Sequence, residues 1–219
     1  MNNIPGNDIY SLKDVVFNKL REAILTGRFK EGDELRENAL SKEFNVSRTP
    51  VREALKQLDL EGLIKIIPNK GAFVVGMNNK DFKDIYIIRG RLEGLCARWA
   101  TENATNEDIS KLEEIVDLTE YHASKGKYEN VFKLDNEFHL LLYKMSDSRI
   151  LSRTLTDFHH YLESIRMQTL SNKDRVLNSV REHKNIINAI KAGDCDLAES
   201  CAIEHMKNTI ENIKAHDIL

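Results

Sequence analysis

The chain has three prolines in 219 residues, and none after Pro68. Proline removes a backbone donor and breaks helix interiors, so nothing of that kind interrupts helices from residue 69 onward. Glycine is sparse, at ten residues. The three cysteines, Cys96, Cys195 and Cys201, are odd in number and no pair has metal-finger spacing. That argues against a disulfide framework and a zinc finger, and the expectation is free thiols in a reducing cytoplasm. No apolar run approaches the roughly 20 residues of a membrane span. The first ten residues have no basic start and no apolar core, so no secretory signal is expected. The chain also lacks a strong charge of one sign: its net charge is −3. Residues 11–76 carry 12 Lys and Arg against 10 Asp and Glu, and residues 77–219 carry 20 against 24. Bulk charge therefore does not mark a nucleic-acid binder; only the placement of particular arginines can. What remains, at 31% charged and 41% hydrophobic residues, is a soluble globular composition, with length for one large or two modest domains.

The most informative stretch is Ser47-Arg48-Thr49-Pro50-Val51-Arg52-Glu53-Ala54-Leu55, preceded by residues 35–46. The spacing predicts two short helices around a tight turn. Ala39, Leu40 and Phe44 give the first an apolar side. Asn45 supplies the turn, since Asn tolerates the left-handed conformation. Ser47 or Thr49 can cap the second helix, and Pro50 suits its first turn. Val51, Ala54, Leu55 and Leu58 form its buried stripe, with Arg48, Thr49, Arg52 and Lys56 off that stripe. Arginines at the start of a helix that buries its other side suit the second helix of a helix-turn-helix. Alone, such a helix reads better as an ordinary basic surface helix. The flanks decide: Leu63–Ile67, the turn Pro68-Asn69-Lys70-Gly71, and Ala72–Val75 read as a hairpin, hence a winged helix.

These residues resemble a known family. Leu35-Arg36-Glu37, the run Val46–Leu55, Glu61-Gly62-Leu63 and Gly71-Ala72-Phe73-Val74 closely resemble the DNA-binding domain of GntR-family bacterial transcription regulators. The resemblance and the place off the buried stripe together point to Arg36, Arg48, Thr49 and Arg52 as DNA-contacting residues. They also place Lys70 and Gly71 at the wing tip.

The expected organisation is a winged domain over 8–76, a link at 77–80 and a helical domain over 81–219. Residues 12–25 open with a helix whose apolar positions include Val16, Leu20 and Ile24, ended at Gly27. Beyond the link, helical periodicity predicts six helices: about 81–101, one begun at Thr105 with Asp108 in capping-box spacing, 129–146, 149–170, 173–192 and 194–216. Short links between them suggest a bundle. The fold class is mainly α, a winged helix-turn-helix followed by an all-α six-helix bundle.

All seven histidines lie beyond residue 121. Asp135 and His139 share a helix face, His183 sits in the stripe Val176, Val180, Ile187 and Ile190, and His205 continues Ala198, Cys201 and Ala202. A lone histidine on an apolar face is more often a hydrogen-bonded core residue. Three on three helices with one carboxylate can converge on a divalent metal. The segments Asp135-Asn136-Glu137-Phe138-His139, Glu182-His183 and Gly193-Asp194 through His205 resemble the ligand domain of the FadR subfamily of GntR regulators, in its metal-binding, FCD-type branch. That resemblance implies Asp135, His139, His183 and His205 as ligands of a divalent ion, zinc first, nickel or manganese as alternatives. Arg89-Gly90-Arg91-Leu92-Glu93 resembles that domain's first helix. Arg89 and Arg166 each suit an effector carboxylate as a bidentate fork, or an ordinary helix salt bridge. His122, His159, His160 and His216 match no motif and read as surface or packing residues.

The resemblance implies a cytoplasmic, homodimeric DNA-binding regulator on an inverted-repeat operator. It further implies a repressor, released by a small organic acid bound at the metal, and not an enzyme. Three rivals stay open: a metal-dependent hydrolase using the Asp/His site, a fatty-acyl-responsive regulator of the same subfamily, and a regulator whose metal is purely structural, with no effector.

Overall fold

The computed structural model describes residues 11–170 and 173–216, so the expected outer domain limits, residues 8 and 219, lie outside the described residues. The chain divides into two units, meeting in sequence at Asn78 and Asn79.

The first unit contains helices α1 (Leu12–Leu25), α2 (Glu37–Phe44) and α3 (Arg48–Leu60) and strands β1 (Ile64–Ile67) and β2 (Gly71–Val74). Helix α1 starts at a capping box between Ser11 and Asp14. Asn45 makes the turn of the helix pair in the left-handed region, at φ 53° and ψ 46°. Ser47 occupies the N-cap of α3 without a side-chain capping bond. Val51, Ala54, Leu55 and Leu58 are all buried, packed with Val16, Leu20 and Ile24 of α1 in one core. Each of the valine, leucine and isoleucine side chains contributes about 1.5–3 kcal/mol by leaving water, and the Ala54 methyl about 0.8 kcal/mol. Ala39, expected on the buried side of α2, is exposed; Leu40 alone of that helix is fully buried.

The hairpin is antiparallel, in register from Ile64↔Val74 to Ile67↔Gly71. Its turn needs positive φ at Asn69 (62°) and Gly71 (121°). Asp59 accepts a hydrogen bond from the Ile66 amide at 2.7 Å, which ties the hairpin to the end of α3. The Leu35 amide donates to the Ala72 carbonyl at 2.8 Å, so the segment before α2 runs beside β2.

The second unit is helical throughout its described residues: α4 (Asn79–Asn103), α5 (Asn106–Ser124), α6 (Tyr128–Met145), α7 (Arg149–Tyr161), α8 (Glu163–Thr169), α9 (Lys173–Ala192) and α10 (Cys195–Ala215). The single helix expected over 149–170 is two, divided at Leu162. No glycine or proline marks the break. Leu162 and Ile165 are both buried, so tertiary packing sets it. Thr105 caps α5 in the expected box with Asp108. Helix α4 lies close against α10: a Cβ on Gly94 would stand 2.7 Å from Ile203 Cγ1. Helices α5, α6 and α9 pack on one another around Leu112, Val116, Phe138, Leu142, Ile186 and Ile190. This places α6, α9 and α10, which carry the histidines, in one bundle.

Candidate nucleic-acid interface and metal centre

In the first unit Arg36, at the N-cap of α2, and Arg48 and Arg52, on the first two turns of α3, are exposed. They line one open groove of about 780 Å³, together with Lys42, Lys56 and Gly71. Thr49 and Lys70 are exposed as well. Gly71 combines positive φ with a close neighbour, since a Cβ there would lie 3.3 Å from Glu34 Oε1. The start of α3 and the helix before it thus bring five cations, Arg36, Lys42, Arg48, Arg52 and Lys56, to one groove, with Glu34 and Glu37 among them and the hairpin's Gly71 at its edge.

In the second unit α6, α9 and α10 bring His139, His183 and His205 together, one nitrogen of each lying within 4.8 Å of the others. All three are buried. Asp135, one turn before His139, has Oδ1 3.9 Å from His183 Nε2, while its Oδ2 is held by Arg166. His183 stacks on Phe138 at 3.9 Å between centroids, which fixes the ring plane. His205 Nδ1 lies 2.7 Å from Glu182 Oε2; with Nδ1 donating to the carboxylate, Nε2 keeps its lone pair. Glu182 is itself held by Arg175 and Asn208. His139 Nδ1 and His183 Nε2 are buried without a hydrogen-bond partner. The 3.7 Å from His139 Nδ1 to Glu93 exceeds hydrogen-bond length. Buried polar atoms are rarely left unsatisfied, and three buried imidazoles that each bring one nitrogen within 4.8 Å of the others form a set that a divalent cation can complete.

The electrostatics suit that use. Burial holds His139 and His183 below the ordinary histidine pKa, His183 strongly so, so both are neutral near pH 7 and ready to donate a lone pair. Burial opposes ionisation of Asp135, but Arg166 and the imidazoles outweigh it and hold the carboxyl below its usual range. The same contest, decided by Arg89, keeps Glu93 ionised.

Arg89 and Arg166 both line a cavity of about 30 Å³ beside Asp135, His139 and His205, with Thr169, Ser179 and Thr209. Arg89 is fully buried and spends Nε and Nη2 on Glu93 and Tyr143, so the salt-bridge reading of that residue holds alongside its place in the wall. Arg166 donates to Asp135 and to Asn136 Oδ1 and abuts His159.

Residues 12–74 match the family model described as bacterial regulatory proteins, gntR family, and residues 84–208 match the FCD domain. The chain belongs to the GntR family. It is 30% identical over 90% of its length to the uncharacterized HTH-type regulator YdhC of Bacillus subtilis, covering 89% of that protein. It is 26% identical to the HTH-type transcriptional repressor RspR of Escherichia coli, over 95% of this chain and 91% of that one. In fold it resembles the solved structure of E. coli McbR/YncC, with a TM-score of 0.72, 24% identity, and coverage of 95% of this chain and 99% of that one. This GntR member is therefore a DNA-binding transcription regulator with an FCD domain. The relatives are named as regulators, which sets the hydrolase reading aside.

Sequence reading passed over three residues near the histidines. His159 is buried, so the packing reading of it holds and the surface reading does not; its Nδ1 lies 3.5 Å from the Tyr143 hydroxyl. Its signal was present: Leu151, Leu155 and His159 recur every four residues on one face of α7. Tyr143 donates to Glu93 at 2.5 Å. Tyr86 is buried with no partner for its hydroxyl, and burial raises its pKa to about 12, so it stays a neutral donor.

Proposed function

We propose that this regulator is a homodimeric repressor that works in the cytoplasm on an inverted-repeat operator. A small carboxylate bound at a divalent-metal site in its FCD unit would release it. The observation that carries the reading is the set of three buried imidazoles on three helices, two of them with unpartnered nitrogens. His139, His183 and His205, with Asp135 Oδ1, would hold the ion: zinc first, since histidine and carboxylate are its ordinary ligands, then nickel, which imidazole also suits, or manganese, which favours the carboxylate oxygen. Bound there, the ion would supply a Lewis-acid centre for an effector carboxylate. Arg166 orients Asp135 by holding Oδ2, and Glu182 orients His205. Removing such supporting groups typically costs 10–100-fold in metal affinity.

Arg89 and Arg166 stand in the cavity wall as cations for the effector's negative charge. The cavity of about 30 Å³ has room for a few waters at most, so an effector of several heavy atoms enters only as the walls part. The short helix α8, bearing Arg166 and Thr169, is the wall element with the fewest turns. A buried site of this size and charge also disfavours a long acyl chain as the ligand.

On DNA, Arg48 and Arg52 would meet base edges, with Arg36 and Thr49 beside them, and Lys70 and Gly71 would reach backbone or minor groove. The exposed Ile87 and Ile88 of α4 (62% and 49%) are apolar surface that a second copy would cover. The test is a thermal-shift series on the metal-stripped protein with zinc, nickel and manganese, each alone and with small mono- and dicarboxylates. Stabilisation by the ion, increased by one carboxylate and lost in His183→Ala, supports the reading. No shift with any ion, and none retained on dialysis, rejects it.

A further inference from the structure

The arginines on the exposed side of the first unit are all held by carboxylates. Arg36 pairs with Glu34 through Nε at 2.8 Å and Nη2 at 2.7 Å. Arg52 donates from Nε to Glu37 Oε1 and from Nη2 to Oε2, both at 2.9 Å. Arg48 donates to the same Oε2 from Nη2 at 3.0 Å and Nε at 3.3 Å. Glu37 opens α2, so one carboxylate on the first helix of the motif grips two guanidinium groups of the second. The hydrogen bond from Arg52, helped by Arg48 and opposed by partial burial, lowers its pKa to about 2, so the grip persists throughout the physiological range.

The geometry leaves both arginines usable. A guanidinium carries five N–H donors in a rigid fork. Glu37 occupies the Nε–Nη2 edge of each, and the Nη1–Nη2 end of each keeps two donors side by side, the pattern that reads guanine O6 and N7. The same carboxylate cancels one of the two positive charges. Freed arginines would swing to phosphates, which every sequence offers.

We propose that Glu37 is a specificity-determining positioning residue. It clamps Arg48 and Arg52 with their ends toward base edges and withholds charge from indiscriminate phosphate binding. The proposal rests on the reading that these arginines face DNA. It implies a sign opposite to that of a residue contributing affinity: removing Glu37 tightens binding to arbitrary DNA while eroding the choice of site.

The experiment uses the full-length protein and two duplexes of equal length, one selected from a randomised pool by the wild type and one with that sequence scrambled. Both are titrated over a range of salt with wild type, Glu37→Gln, Glu37→Asp and Arg52→Ala. Glu37→Gln keeps the size, loses the charge and offers one acceptor oxygen where there were two. It should bind the scrambled duplex more tightly, with a salt dependence steeper by about 0.9 in log–log slope for the one charge released. Its selected-to-scrambled ratio should fall about tenfold, the worth of one good arginine–guanine pair. Glu37→Asp keeps the charge on a shorter stem, so its slope should match the wild type while its ratio falls. An unchanged ratio in Glu37→Gln, with Arg52→Ala losing the selected site, overturns the role of Glu37 and leaves the recognition helix standing. Wild-type binding by Arg52→Ala overturns the reading beneath it. A slope that steepens as much in Glu37→Asp as in Glu37→Gln overturns the electrostatic half.

Discussion

Replacing Gly94 with alanine should change sign with its neighbour. An added Cβ would stand 2.7 Å from Ile203 Cγ1, 2.9 Å from its Cδ1 and 3.2 Å from Glu199 Cγ. Carbon atoms prefer about 3.5–4.0 Å, so the first two approaches are short by roughly 1 Å and α10 or the Ile203 side chain must yield. Overpacking of this kind costs about 1–3 kcal/mol. Against it stands the helix preference of alanine over glycine, about 1 kcal/mol in an interior. The balance is a loss of up to about 2 kcal/mol. In an Ile203→Ala background the two closest atoms are gone and only the flexible Glu199 side chain, at 3.2 Å, has to give by a few tenths of an ångström, so the same Gly94→Ala change should stabilise by up to about 1 kcal/mol. The chain has one tryptophan, Trp99, and it lies on α4. Urea unfolding followed by its fluorescence therefore reports the second unit, in the single mutants and the double. Destabilisation of equal size in both backgrounds would refute the close approach of α4 and α10, and with it the packing that sets His205 beside α4.

Acid should weaken the metal-free protein in a defined window. His139, His159 and His183 have folded-state pKa values lowered by burial, against about 6.5 unfolded. The unfolded chain therefore takes up protons first as pH falls. The contribution of these groups is complete above about 6.5 and is lost on going below it, by up to about 1.4 kcal/mol per pH unit per histidine. Urea midpoints at pH 7.5, 6.5 and 5.5 measure this, and a flat profile contradicts buried neutral imidazoles. Arg52→Ala should weaken binding to a selected duplex about tenfold or more with helix content unchanged by circular dichroism. Lys70→Ala should weaken selected and scrambled duplexes alike and flatten the salt dependence; a loss confined to the selected duplex would place Lys70 on base edges instead.

Local features of the fold were legible because they rest on local chemistry. The left-handed turn at Asn45, the capping box of Thr105 and Asp108, and the Asn69 and Gly71 turn each follow from one or two residue types in a row. The buried stripe of α3 follows from spacing alone. What escaped depends on contacts distant in sequence. The break at Leu162 has no glycine or proline, and only the packing of Leu162 and Ile165 sets it. Glu37 reads as a first-turn acid until its partners, 11 and 15 residues away, are placed against it. His159 fits no motif, which leaves surface and packing open; its spacing with Leu155 favours the packing place it takes. The stripes on three helices only allow His139, His183 and His205 to converge, and the family resemblance singles them out; that Arg166 reaches Asp135 across 31 residues is legible from neither.

On the proposed function, the histidine cluster controls DNA binding. The cluster lies in the second unit and α3 in the first, so an effector bound at the cluster would act through a difference in affinity for two arrangements of the protein. Typical couplings of about 1–3 kcal/mol correspond to roughly 5- to 150-fold in affinity. The measurement is the affinity for a selected duplex with and without the carboxylate that passes the thermal-shift screen, in wild type and in His183→Ala. The account predicts a weakening within that range in wild type, and none in His183→Ala, whose ligand-free affinity stays near wild type. An undiminished response in metal-free His183→Ala would contradict it.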